Sequence, residues 1–255
     1  MKKTLAVSLI ALICACTEQN GGQTGPKSAD LTWDSVALHI EEPIVSGEDL
    51  SYLIDIRLDT LVGESELAKQ FAAVLRDSVL SIQKPVALQE AMATFAKNME
   101  TEWKTELAEL YDNEDVYKEM LEYNYTLEGN PVENGNDSVL SYQTTTDCYL
   151  GGAHGSYVVK YYNFDMTSGK LLNISDVVPA AKEMLMLMAM EEQLCKDWDA
   201  EDLADLQEQT GITMLGDLYL TNNFLLKKDS IEFLFNQYEI APYAAGLISV
   251  TLPRP

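Results

Sequence analysis

His154 and Glu239 are the side chains of this sequence best suited to acid–base or ligand chemistry. His154 lies at the tip of the glycine-rich stretch Gly151–Gly155, where glycines permit a tight turn and a close approach of the backbone. The histidine could contact a ligand or act as a general base. We favour a structural role, in which the ring bonds the backbone and holds the turn, because no serine or cysteine stands at a recognised nucleophile spacing.

Glu239 belongs to a second irregular stretch, YEIAPYAAG, at residues 238–246. Pro242 and the two tyrosines would fix an irregular loop here. Glu239 could serve as an acid, or it could bond backbone amides of its own loop. A single carboxylate without an identifiable partner supports no mechanism, so the structural role is again favoured and no catalytic residue is assigned. The two stretches together supply the predicted ligand-binding residues, which are Gly152, His154, Tyr238, Glu239 and Tyr243.

A third site for chemistry is the thiol of Cys16. Two lysines and the apolar run Leu5–Ala15 precede it, and the residues ICAC at 13–16 form a lipobox. The run is shorter than the roughly 20 residues that span a bilayer. We therefore expect cleavage before Cys16 and lipidation of that cysteine. An uncleaved anchor and an ordinary secretory signal are the alternatives.

Lipidation would hold the domain on the outer or cytoplasmic membrane, facing the periplasm or the cell surface. Two further cysteines, Cys148 and Cys195, could pair in an oxidising envelope, although buried free cysteine is common and the pairing stays open. No metal site or cofactor is predicted. The acidic run 197–208 has calcium-loop spacing but carries Asp202 where the sharp turn needs glycine.

The charge of the chain restricts its partners. The 255 residues carry a formal net charge of −24, which becomes −26 without Lys2 and Lys3. Such a surface repels nucleic acid and attracts cations and basic proteins. Hydrophobic residues make up 47% of the chain, enough for compact domains.

The pattern of turns and apolar residues predicts four segments. They are a signal peptide at 1–15, a flexible tether at 16–33, an N-terminal α+β part at 34–165 and a C-terminal α+β part at 166–253. The expected fold class is α+β, with a mostly antiparallel sheet packed against helices in two closely associated subdomains.

Particular elements follow from the same patterns. Alternation predicts a half-buried hairpin from 36–40 and 52–58, with a turn at Ser46-Gly47. Helices are predicted after Ser65, with Pro85 in the first turn of the next helix, and near Pro179, capped by Ser175 or Asp176. The methionines between 184 and 190 are predicted to be adaptable core residues. A short helix containing Val116 and Met120 and a final hairpin around Lys228-Asp229 complete the prediction.

Several ordered motifs carry a resemblance to a known family. They are YLGGAHG at 149–155, NFD at 163–165 with Thr167 and Gly169, LNISDV at 172–177, FNQYEIAPYAAG at 235–246 and VTLP at 250–253. This set resembles the bacterial envelope domain-of-unknown-function 3298 family, from about Tyr123 to Pro253, preceded by a 4163-type N-terminal part. The family includes the outer part of the lysozyme-sensing anti-sigma-V factor and a non-catalytic region of peptidoglycan deacetylase C.

The resemblance implies an α+β binding module, and the expected function follows from it together with the lipobox. We expect a lipid-anchored extracytoplasmic binding or sensing module whose ligand is a lysozyme-like basic protein or a cell-wall glycan such as peptidoglycan. Catalysis is not expected. One alternative is an envelope glycan hydrolase, or an enzyme associated with deacetylation, that uses Glu239, His154 or Asp165. The other is a structural envelope lipoprotein.

Overall fold

The computed structural model describes residues 31–43, 51–113, 115, 117, 118 and 121–255. The predicted signal peptide, Cys16 and most of the tether lie outside these residues. So do the predicted turn at Ser46-Gly47 and the residues Val116 and Met120.

A six-stranded sheet forms the larger layer of the molecule. Its strands lie side by side in chain order, and all neighbours are antiparallel except β2 and β3, which are parallel. The strands are β1 (Trp33–Pro43), β2 (Ser51–Leu61), β3 (Tyr123–Val132), β4 (Val139–Leu150), β5 (Ser156–Asp165) and β6 (Leu171–Leu172). The predicted first hairpin is confirmed as the antiparallel pair β1–β2.

The parallel pair requires a crossover connection, and helices supply it. The crossover contains α1 (Glu66–Val74), a π-helical turn (Leu75–Val79) and α2 (Leu88–Tyr111). The Ser65 hydroxyl caps α1 by accepting a bond from the Ala68 amide at 3.1 Å. The prediction for Pro85 is wrong, because α2 begins three residues later, at Leu88, after an extended N-cap residue.

The side chains of β2 that face the helices are fully buried, in the alternation expected of a half-buried strand. They are Tyr52, Ile54, Ile56 and Leu58. Tyr52 and Tyr123 each meet the ring of Trp103 on α2 edge to face. This packing fixes the sheet beneath the helices and leaves β5 near the far edge of the sheet.

The C-terminal unit is a three-stranded antiparallel sheet with helices against it. It contains α3 (Ile174–Val177), α4 (Ala180–Asp197), α5 (Leu203–Thr210), β7 (Phe224–Leu226), β8 (Ser230–Phe235) and β9 (Ile248–Pro253). The hairpin around Lys228-Asp229 is confirmed as the β7–β8 pair. The core of this unit also takes in Val139 of β4, so the two sheets are closely associated.

The structure differs from two local predictions in this unit. Neither Ser175 nor Asp176 caps the helix near Pro179; α4 starts at Ala180 without a side-chain cap, and Asp176 completes a capping box with Asn173 on the short α3. The methionines divide evenly. Met186 and Met190 are buried, whereas Met184 and Met188 are exposed, because only the first pair lies on the inward face of the helix.

These elements confirm the predicted α+β class with a mostly antiparallel sheet. β6 pairs with β5, so the first sheet extends to Leu172, beyond the predicted division after Asp165. Among the described residues, every helix is too short or too polar to cross a bilayer.

Candidate functional site

The outer edge of β5 is the place where the two sheets meet. β6 covers only the end of this edge, at Asn163 and Phe164. Farther along, side-chain amides of the C-terminal unit bond the β5 backbone. Asn236 Oδ1 accepts from the Val159 amide at 2.8 Å, and Asn223 Oδ1 accepts from the Tyr161 amide at 2.9 Å.

The same two asparagines also donate to β5. The Nδ2 groups of Asn223 and Asn236 reach the Val159 carbonyl at 2.8 and 3.1 Å. Asn223 lies directly before β7 and Asn236 directly after β8, so the hairpin presents both amides to one strand edge. Each amide therefore replaces part of a missing neighbouring strand for β5.

A third asparagine, Asn163, lies on β5, and its side chain bonds the backbone of β7. It is 1% exposed, and its Nδ2 group donates to the Phe224 carbonyl while its Oδ1 atom accepts from the Leu226 amide at 3.1 Å. The Ser141 hydroxyl donates to the same oxygen at 2.7 Å. A buried amide with every group bonded fixes the position of β7 against the larger sheet.

A cleft of about 360 Å³ opens along this junction. Its walls come from β5, from the residues around β6 and from the two segments that carry the bonding asparagines. Residues with polar side chains that line it include Lys160, Tyr161, Asn173, Asn222 and Glu239. Ammonium, phenol, amide and carboxylate groups supply both donors and acceptors within one concave site.

His154 lies beside the second predicted stretch but outside the lining of this cleft. Its ring stacks on that of Tyr243, with centroids 3.9 Å apart, and the Tyr238 hydroxyl lies 3.4 Å from Nε2. The Nδ1 atom lies 2.9 Å from the Gly155 carbonyl, which can only accept, so Nδ1 carries a hydrogen. His154 thus bonds the backbone of its own turn, as the structural interpretation expects.

The turn that carries His154 needs its glycines. Gly151 and Gly152 have φ angles of 76° and 91°, which favour glycine. A side chain at Gly155 would come within 2.9 Å of the Cys148 carbonyl. The Tyr149 hydroxyl closes the turn by donating to the Gly152 carbonyl at 3.0 Å. Gly152 therefore shapes the turn through its backbone.

Tyr238 occupies an unusual backbone position. Its φ angle is 67°, in the left-handed region that a bulky residue enters at a cost of about 1–2 kcal/mol. The residue is 56% exposed, and its ring centroid lies 5.7 Å from that of Tyr243. At this strained turn, two adjacent residues belong to different sites: Tyr238 contacts His154, and Glu239 lines the cleft.

The exposed Glu239 carboxylate interacts electrostatically with the phenol of Tyr219. Burial and then the negative charge of Glu239 raise the pKa of the Tyr219 phenol. The Glu239 amide donates to the Asn236 carbonyl at 3.1 Å, which connects the cleft carboxylate to the asparagine that bonds β5.

The remaining predicted residues lie apart from the cleft. Asp165 accepts from the amide and hydroxyl of Ser168 at 2.7 Å each, and these bonds lower the pKa of its carboxyl. Cys148 and Cys195 are free, so the disulfide considered above is not formed. Cys195 is a buried residue of α4, whereas Cys148 belongs to β4 of the larger sheet. In the described part of the chain, no cluster of three metal-binding side chains is present.

Sequence reasoning missed most residues of the junction and the cleft. They are Lys160, Asn163, Asn222, Asn223 and Asn236. The available signal was an asparagine at each end of the apolar hairpin β7–β8, because a buried amide must find partners. The pattern predicts bonding but does not identify the strand that receives it.

The comparisons with known proteins agree with this fold. Residues 174–255 match the family described as "Protein of unknown function (DUF3298)". The chain is 30% identical over 109 residues to the peptidoglycan-N-acetylmuramic acid deacetylase PdaC of Bacillus subtilis. That alignment covers 42% of this chain and 22% of the deacetylase, so the chain spans about a fifth of the length of this curated relative.

Two solved structures share the fold. A DUF3298-family member from Bacteroides fragilis superposes with a TM-score of 0.76 at 22% identity, covering 90% of this chain and 92% of that protein. A DUF3298-family protein from Pseudomonas aeruginosa gives a TM-score of 0.59 at 18% identity, covering 88% and 90%. The likeness therefore extends beyond residues 174–255 to both sheets.

Replacing Asn236 by alanine tests the junction. Asn236→Ala leaves the buried Val159 amide without its acceptor, so we expect the free energy of unfolding to fall by about 1–3 kcal/mol. Urea unfolding measures this change. Asn130→Ala, at an exposed asparagine on β3, is the matched control and should stay within about 0.5 kcal/mol of the unaltered protein. Equal effects of the two substitutions would contradict the role of Asn236.

Proposed function

Because residues 174–255 form a DUF3298-family domain, we propose that this chain is a lipid-anchored binding module of the bacterial envelope whose cleft along β5 holds a cell-wall glycan. The cleft is the observation that carries the proposal. Its volume of about 360 Å³ falls within the range of about 300–1,000 Å³ that is typical of ligand sites.

The groups that line the cleft suit a saccharide. Glu239 can accept bonds from sugar hydroxyls, and Lys160 can donate to hydroxyl or carboxyl oxygens. Within the described residues, Asn222 uses Oδ1 to accept from the Ile174 amide, and its Nδ2 group stays available as a donor. Tyr161, which also lines the cleft, adds an aromatic residue to these polar groups. A ligand with many hydroxyls matches such a mixed lining better than a purely apolar ligand does.

The Bacillus subtilis relative is a peptidoglycan deacetylase, which favours peptidoglycan as the class of glycan. The ICAC lipobox supports the location, since a protein that is lipidated at Cys16 would be anchored where peptidoglycan is accessible.

The intact mass of the native protein tests the lipidation at Cys16. We expect a chain that starts at Cys16 and carries acyl groups; an unmodified full-length chain would contradict the anchor.

A lysozyme-like basic protein is the second candidate ligand, and the net charge of −24 favours it. Opposite charges speed the encounter of two proteins and make their binding sensitive to salt. The hydrolase alternative has less support, because Glu239, His154 and Asp165 do not line one common site. In this proposal Glu239 contacts the ligand, His154 stabilises its own turn and Asp165 caps the turn that contains Ser168.

Titration calorimetry with soluble muropeptides, prepared by muramidase digestion of peptidoglycan, tests the cleft. We expect the mature protein to bind them, and Glu239→Gln or Lys160→Gln to weaken binding at least tenfold, which is about 1.4 kcal/mol. Glu133→Gln, at an exposed glutamate outside the cleft, should bind unchanged.

The glycan proposal is contradicted if muropeptides fail to bind, or if they bind Glu239→Gln as tightly as they bind the unaltered protein. Binding of hen lysozyme without binding of muropeptides would transfer the proposal to the second candidate. Release of new saccharide or acetate products, lost in Glu239→Gln, would instead favour the hydrolase.

A further inference from the structure

A groove on the C-terminal unit shares no lining residue with the cleft along β5. α4, α5 and the irregular segment 211–223 enclose about 330 Å³ of open space. Leu187 of α4, Leu203 of α5 and Leu218 of the segment contribute the inner apolar lining. Two long methionine side chains of α4, Met184 and Met188, extend along its side.

Several large apolar side chains on α4 and on the segment 211–223 are exposed. Met184, Leu185 and Met188 are 68%, 57% and 60% exposed, and Met214 and Leu215 in the neighbouring segment are 60% and 51% exposed. Large apolar side chains grouped on one face of a soluble protein are typical of interaction sites. Methionine is flexible and polarisable, so methionine-rich surfaces adapt to partner side chains.

The groove is preformed. Thr213 lies in its wall with a φ angle of 68°, a strained value for a β-branched residue. The Thr213 amide donates to the Ile240 carbonyl at 2.8 Å, and this bond holds the wall against the loop that carries Tyr238 and Glu239. Strained positions that the surrounding structure maintains are concentrated at binding sites.

Charge identifies the kind of partner. Glu191 and Asp217 line the groove beside its apolar residues. Residues 180–218 contain ten aspartates and glutamates against two lysines, a net charge of −8. An anionic membrane surface would be repelled, and a second copy of this acidic chain would bring like charges together. A segment with an apolar stripe and lysines or arginines on its flanks would satisfy both features of the groove.

We propose that this groove binds a basic amphipathic helix of a partner protein. The exposed residues Met184 and Met188 are four positions apart on α4, so they form one stripe along the helix axis. A partner helix lying along that stripe would insert its apolar side chains between α4 and the segment 211–223. Its cationic residues would then lie next to Glu191 and Asp217. This inference does not depend on the glycan proposal, because neither site shares a lining residue with the other.

Fluorescence anisotropy with a labelled synthetic leucine–lysine peptide tests the groove. The peptide has an amphipathic helical pattern, and its scrambled version has the same composition and charge. We expect the patterned peptide to bind the mature protein at least tenfold more tightly than the scrambled one. Met184→Ser/Met188→Ser should weaken binding at least tenfold, whereas Val62→Ser, at an exposed apolar residue elsewhere, should not.

The charge contribution needs its own pair of variants. Glu191→Gln/Asp217→Asn should weaken binding and reduce its dependence on salt, whereas Asp137→Asn/Asp229→Asn removes the same charge elsewhere and should do neither. Thermal melting checks that each variant is folded. Equal affinity for the patterned and scrambled peptides, or unchanged binding by the methionine variant, would overturn the proposal. So would sedimentation showing a dimer of this chain that the methionine substitutions dissociate.

Discussion

Side-chain amides that bond the outer edge of β5 hold the two sheets of this molecule together. A strand edge presents amides and carbonyls that must find partners, and β6 pairs with β5 only at Asn163 and Phe164. Asn223 and Asn236 supply partners to Val159 and Tyr161, and Asn163 returns the connection to β7. Because such bonds require well-defined distances and directions, they fix the orientation of the C-terminal unit more precisely than apolar packing alone.

Both proposed sites depend on this junction. The cleft exists because β5 and the segments around Asn223 and Asn236 approach each other without a strand between them. The turn after Asn236 directs Tyr238 towards His154 and Glu239 into the cleft. The carbonyl of Ile240, farther along the same loop, holds the wall of the methionine groove. Residues 236–246, which belong to one of the family motifs, therefore contact β5, the His154 turn and the wall of the methionine groove.

The sequence predicted the elements better than their assembly. Alternation in Tyr52–Leu58 and the turn at Lys228-Asp229 were sufficient for strands, because local periodicity reports which face is buried. The parallel pairing of β2 with β3 had no local signal, since it depends on a crossover of about 60 residues. The sequence favoured a structural role for His154, bonding its own turn, over a ligand contact, but it could not place Tyr243 against the His154 ring. Asn223 and Asn236 were missed because bonding across 60 to 80 residues leaves no spacing pattern.

Hydrogen exchange at the amides of Val159 and Tyr161 tests the junction most directly. Strand alternation turns the amides of Val158 and Lys160 towards β4, so these two serve as internal references. If the asparagines close the edge of β5, Val159 and Tyr161 should be protected to a similar degree as their two neighbours. Exchange of Val159 and Tyr161 at the rates of an open strand edge, with their neighbours still protected, would contradict the account.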